Sequence, residues 1–120
     1  MSTVVGVGFD LVDVDRFARV MQRRPGLLGR VFRGDETNHP SPERLAARFA
    51  VKEAVLKSLG LGLGSVRLAD IETVRTASGE PRLVLHGSAA RMATERGVTA
   101  WQVSLSHTDR TAGAVVVALG

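Results

Sequence analysis

The chain contains no cysteine, which excludes disulfides and thiolate metal sites and suits a reducing compartment. Its aromatic side chains are four Phe and one Trp, too few for a row of stacking platforms for single-stranded nucleic acid. Lysine is scarce as well. Of the 16 basic residues only Lys52 and Lys57 are lysines; the rest are arginines. No apolar run approaches the ~20 residues of a membrane span. The opening "MSTVVGVGFD" carries neither the basic segment nor the cleavage signal of a secretory leader. These absences lead to the expectation of a cytoplasmic protein with no membrane partner. The 120 residues show no repeat, low-complexity tract or linker, so one domain over 1–120 is expected. A formal charge of +4 favours an acidic partner.

Residues 3–9, "TVVGVGF", form a β-rich run that ends at Asp10. Val5, Val7 and Phe9 share one face. Gly6, Gly8 and Asp10 share the other, a bare-backbone face leading to a carboxylate where a ligand can approach. A helix is predicted over 13–23, with Val14, Phe17, Ala18 and Met21 inward and Arg16, Arg19 and Arg23 on the opposite side. Residues 27–40 read as irregular, with a short helix near 27–32. "SPER" starts a long helix over 42–59, with Ser41 as N-cap, Pro42 at N1 and Gly60 as its stop. "VRLADIETVR" and "RLVLH" read as strands about the turn "ASGEP". Ser88 caps a short helix over 89–96, and "AWQVSLSH" and "TAGAVVVALG" are the closing strands. The order predicts an α+β fold with a largely antiparallel sheet packed on the long helix.

Within that helix Glu53 sits between Phe49 and Leu56 on the wheel, on or beside the buried face. A buried carboxylate needs a compensating cation or a proton. Lys57, one turn on, is one candidate through an i,i+4 pair. A metal ion shared with Asp10 is the other, because two hard oxygen ligands completed by water and phosphate describe a typical Mg²⁺ site. "GLGLG" at 60–64 offers glycine-rich backbone beside a lysine, suited to phosphate, without a Walker or dinucleotide motif. Val51 and Val55 lie away from Phe49 and Leu56, so the helix is apolar on two faces and a second subunit is a natural cover. His107 continues the Trp101, Val103, Leu105 face and could serve as phosphate donor or proton acceptor. His39 and His86 have no comparable context.

"GVGFDLVDVDRF", "RFAVKEAVLKSLGLGLG" and "WQVSLSHTDRTAGAVVVA" together resemble the holo-[acyl-carrier-protein] synthases, the small 4′-phosphopantetheinyl transferases. The resemblance covers nearly the whole chain. It implies transfer of the phosphopantetheine arm of coenzyme A to a serine of an apo acyl carrier protein, with Mg²⁺ required and adenosine 3′,5′-bisphosphate released. It implies Asp10 and Glu53 as metal ligands, Lys57 and Arg48 near the coenzyme phosphates, and Gly60, Gly62 and Gly64 as the adjoining turn. His107 would contact the coenzyme, and Arg16 would meet the acidic carrier, with Arg19 and Arg23 extending its stripe. A homotrimer with active sites between subunits is implied too. Leu61 stands where relatives often have threonine, Gln102 where many have histidine, and Val12 where larger relatives carry a further carboxylate.

Two other readings fit the residues alone. A basic nucleic-acid-binding module would use the arginine stripe and weaken steeply with salt; the scarcity of aromatics counts against it. A Mg²⁺-dependent nucleotide pyrophosphatase would use the same ligands with water as nucleophile.

Overall fold

The computed structural model describes residues 3–38 and 41–120; His39 lies outside them. The described residues form five strands and four helices, in the order β1 Val4–Asp13, α1 Val14–Arg23, α2 Leu27–Val31, α3 Pro42–Ser58, β2 Ile71–Arg75, β3 Pro81–Leu85, α4 Gly87–Glu95, β4 Ala100–His107 and β5 Thr111–Leu119. Short 3₁₀ turns occupy Gly34–Thr37 and Leu68–Asp70. The strands form two antiparallel sheets, one ordered β1-β5-β4 and one β2-β3. The α+β expectation with antiparallel pairing holds, although the sheet is divided in two.

The 17-residue α3 is built as its caps predict. The Ser41 hydroxyl accepts the Arg44 amide at 3.2 Å and Pro42 sits at N1. At the far end Gly60 takes a positive φ of 69°. The Gly60 and Leu61 amides then fold back onto the carbonyls of Lys57 and Leu56, a Schellman closure. Asp13 caps α1 by accepting the Arg16 amide, and Val14 and Phe17 point inward as their spacing requires.

Two apolar clusters share α3. One joins Val51, Val55 and Leu56 to Ile71, Ala89 and Val116. The other joins Leu45 and Ala46 to Val14, Phe17 and Phe32. Val51 and Val55 are fully buried within the chain, so the expectation of a second subunit over them is wrong. They belong instead to the core cluster that Ile71 of β2, Ala89 of α4 and Val116 of β5 share.

The glycine face of β1 is also not open to a ligand. A Cβ on Gly6 would fall inside the Ser58 carbonyl, and one on Gly8 inside the Ala54 carbonyl. The α3 backbone rests directly on this strand. Ala112, Ala114 and Ala118 of the paired β5 are buried beneath the same helix, small side chains that let it come close. β1 also runs on through Asp10 to Asp13, so Asp10 is a mid-strand residue rather than a strand end.

Two smaller corrections concern the second half of the chain. Only the latter part of "VRLADIETVR" is a strand. Leu68–Asp70 form a 3₁₀ turn instead, and the buried Asp70 accepts the Ser88 amide at 2.9 Å and the Ser88 hydroxyl at 2.7 Å. Ser88 therefore does not cap α4, which begins at Gly87 with His86 at the N-cap. His86 Nε2 instead meets Glu72 Oε1 at 2.8 Å.

Gly8→Ala should destabilise the fold by roughly 3 kcal/mol or more, because backbone on both sides resists the added methyl. Gly62→Ala, at a position with open space and no positive φ, should change stability by less than about 1 kcal/mol. Urea unfolding of the two variants measures the contrast.

Candidate active site

The contact between β1 and α3 determines which side chains meet. Past Gly8 the next residue on the α3-facing side of the strand is Asp10. Phe49, Glu53 and Lys57 descend one flank of α3 at four-residue steps, and Arg44, Arg48 and Lys52 descend the next. Glu53 and Lys57 therefore arrive together at Asp10, and Arg44 and Arg48 face elsewhere.

Lys57 Nζ lies 2.9 Å from Asp10 Oδ1 and 3.1 Å from the Phe9 carbonyl. The lysine pairs across to the strand, not along the helix to Glu53 as the i,i+4 reading allows. The hydrogen bond that Lys57 donates to Asp10, followed by the charge of Asp10, holds the Lys57 ammonium above the ordinary lysine value. Glu53 is left without a direct partner. Its Oε1 is buried and accepts no hydrogen bond. Burial, and next the charge of Asp10, push the Glu53 carboxyl above the usual carboxylate range, against an opposing pull from Lys57.

A half-buried carboxylate with an orphaned oxygen beside a second carboxylate is a donor set that a hard divalent cation fits. No group of three or more His, Asp or Glu suited to a metal occurs among the described residues, so two protein oxygens would leave the remaining positions to water and substrate. Val12 packs against both apolar clusters.

Asp10 and Glu53 line one groove of about 680 Å³, walled by Phe17, Val20, Met21, Phe49 and Leu63, with Arg16 at its side. Arg16, Arg19 and Arg23 are all exposed on α1. The glycine-rich turn divides its roles. Gly60 closes α3, Leu61 packs on the core, and Leu63 is 71% exposed and faces the groove. Gly62 and Gly64 have no neighbour within 4 Å of a built Cβ.

Arg48 and His107 lie in a different pocket of about 300 Å³, together with Arg44, Arg75 and Ser106. It shares no lining residue with the carboxylate groove. His107 ends β4 and is exposed, with Nδ1 3.2 Å from the Thr108 carbonyl. Gln102 lies elsewhere, in a groove between β3 and β4. The sequence reading had no place for Arg44 and Arg75. The Arg44–Arg48 spacing was visible, but nothing local signals that Arg75, on a strand 27 residues further on than Arg48, faces them.

Residues 6–117 match the model of the 4′-phosphopantetheinyl transferase superfamily. The chain belongs to that superfamily. It is 48% identical over 115 residues to the holo-[acyl-carrier-protein] synthase of Frankia casuarinae, covering 96% of this chain and 97% of that one. The holo-[acyl-carrier-protein] synthase of Streptomyces griseus is 45% identical, over 98% and 99% of the two chains. Among solved structures, the holo-[acyl-carrier-protein] synthase of Neisseria meningitidis superposes with a TM-score of 0.86 at 28% identity, over 97% of this chain and 98% of that one. The Helicobacter pylori enzyme, solved in complex with coenzyme A, superposes with a TM-score of 0.83 at 26% identity, over 93% and 98%. As a member of this superfamily the chain is a transferase. No helix among the described residues is long and apolar enough to cross a membrane.

An uncompensated carboxylate at Glu53 costs stability in the metal-free protein. Glu53→Gln should raise its stability by roughly 1 kcal/mol, a few degrees in Tm. Thermal unfolding in EDTA measures this, and an unchanged or lowered Tm would contradict the account of Glu53.

Proposed function

We propose that the chain is a holo-[acyl-carrier-protein] synthase: it transfers the 4′-phosphopantetheine arm of coenzyme A to a serine hydroxyl of an apo acyl carrier protein. The products are the holo carrier protein and adenosine 3′,5′-bisphosphate. The observation that carries the reading is the meeting of Asp10 with the partnerless Glu53 oxygen in one groove, in a chain of this superfamily.

Asp10 and Glu53 would hold a Mg²⁺ ion, which when bound neutralises diphosphate oxygens and favours departure of the leaving phosphate. The serine oxygen attacks the phosphorus that carries the pantetheine arm, and the bond to the adenosine-bearing phosphate breaks. Lys57, poised on Asp10, offsets the charge that builds on the phosphates. The serine proton must leave during the attack. Glu53, made more basic by burial, is the first choice of acceptor and His107 the second. Arg48 and His107, with Gly60, Gly62 and Gly64, would serve the coenzyme phosphates. The Arg16, Arg19 and Arg23 stripe beside the groove would steer an acidic carrier and set its orientation.

A homotrimer accounts for two further observations. Val5, Val7, Phe9 and Leu11 form an exposed apolar row on β1, continued by Val115 on β5, a patch of the kind that marks an interface. The carboxylate groove and the arginine pocket share no lining residue, as expected if a coenzyme lies between subunits. The interface thus belongs to the outer sheet face, not to the valines of α3.

The test is the mass of an apo carrier protein incubated with the enzyme, coenzyme A and Mg²⁺, which should rise by one phosphopantetheine and not do so in EDTA. Asp10→Ala should lower the rate by roughly 10²-fold or more. Coenzyme A cleaved without a carrier, with no mass shift when one is added, would favour the pyrophosphatase instead. Val7→Glu, a charge set into the exposed row, should convert a trimer into monomers by analytical ultracentrifugation. A wild-type protein that is monomeric at micromolar concentration would reject the trimer.

A further inference from the structure

Lys52 and Glu36 are both fully buried charges that neither the carboxylate groove nor the transfer chemistry uses. The Lys52 ammonium spends its three donors on three acceptors. It bonds Glu36 Oε1 at 2.9 Å, the Leu68 carbonyl at 3.1 Å and the Ile71 carbonyl. Its Nζ also lies 5.3 Å from the centre of the Phe32 ring. Glu36 in turn accepts the Arg33 amide on Oε1 and the Thr73 amide on Oε2, both at 3.1 Å. One ion pair thus joins α3, the 3₁₀ turn Gly34–Thr37 and the start of β2. Such a pair is a weak source of stability, because two charges must leave water to form it. A defined arrangement of the elements it joins is one benefit such a pair brings in some proteins.

That arrangement has a visible consequence. Two residues past Thr73, β2 ends at Arg75, which lines the pocket opposite Arg44 and Arg48 of α3. Three guanidinium groups around about 300 Å³ repel one another. Burial pulls Arg48 below the ordinary guanidinium value; the charge of Glu36 is the next influence and opposes it, and the charges of Arg75 and Arg44 add smaller downward pulls. Arg48 Nε is buried without a hydrogen-bond partner. The pocket is thus a cluster of guanidinium groups carried by two elements, α3 and β2. The Lys52 bond to Ile71 and the Glu36 bond to Thr73 tie β2 to α3 directly behind it.

We propose that Glu36 and Lys52 are positioning residues: they hold Arg75 against Arg44 and Arg48, and so preorganise this pocket for the phosphates of the coenzyme. The inference rests on the transferase reading for the identity of the ligand. A pocket assembled by a buried pin acts on binding rather than on the chemical step, so disturbing the pin should raise the KM for coenzyme A and leave kcat nearly untouched.

The test compares wild type with the neutral pair Glu36→Gln/Lys52→Met, which keeps shape and removes both charges together. Binding of adenosine 3′,5′-bisphosphate by calorimetry should weaken by roughly tenfold or more. The KM for coenzyme A should rise in parallel, with kcat within about threefold of wild type. A variant that melts cooperatively near the wild-type Tm and binds with unchanged affinity would overturn the proposal. Should the neutral pair fail to fold, Arg75→Met decides. Arg75 is exposed at the end of its strand, and its loss should weaken the bisphosphate by roughly tenfold. Unchanged affinity would mean that the placement of β2 has no bearing on the ligand, which overturns the proposal as well. A wild-type protein that binds neither the bisphosphate nor coenzyme A would reject the transferase reading and the positioning role together.

Discussion

Backbone-to-backbone contact between β1 and α3 is the constraint on which the site depends. A helix normally stands off a strand by the length of the side chains between them. Here Gly6 and Gly8 remove those side chains, and the Ser58 and Ala54 carbonyls occupy the space. Small residues on β5 let the helix settle to the same depth. The consequence is geometric. The first residue of this β1 face with a side chain is Asp10, and the helix residues that pass it are Glu53 and Lys57. With larger residues at 6 and 8 the helix would ride higher, and short carboxylates could not meet across the gap.

The same contact explains why the site is under tension. Lys57 reaches Asp10 because its long side chain spans from helix to strand, and that leaves Glu53 with one buried oxygen and no donor. In a fold selected for stability alone, a neutral or apolar residue would serve better there. A carboxylate kept at that cost is suited to a ligand that brings its own positive charge. The tension therefore sits at the point where function is proposed. In the buried Glu36–Lys52 pair one flank away, all three donors of the lysine are satisfied.

Much of this was legible in the sequence because it is written in local signals. The caps of α3, the inner stripe of α1, the alternation in β4 and the out-of-place Glu53 each depend on residues within a turn or two. The errors share one cause, which is long-range partnership. The glycine face of β1 looked open because its cover lies almost 50 residues away, at Ala54 and Ser58. Val51 and Val55 looked uncovered because the residues of β2, α4 and β5 that share their cluster lie further along the chain. The i,i+4 reading of Glu53 with Lys57 failed because Asp10, brought in by the strand, competes better for the ammonium. Lys52 drew no attention, since a lysine in a helix is ordinarily a solvated one.

That last case has a chemical reason, visible in the basic residues of the chain. Arginine outnumbers lysine heavily, yet both lysines lie on α3 at positions where an arginine would not serve. Lys52 must place three donors around a compact point, toward one carboxylate oxygen and two carbonyls, inside a closed core. A planar guanidinium is too large and aims its five donors in one plane. Lys57 must reach from α3 to Asp10 Oδ1 and the Phe9 carbonyl at once, which a single flexible ammonium can do. Six of the arginines lie around the small pocket or along α1, and others serve within the chain, as Arg33 beside Asp70 and Arg96 on the Leu59 carbonyl. Of the two lysines, one thus pins the interior and the other spans from helix to strand, tasks suited to a compact ammonium on a flexible stem.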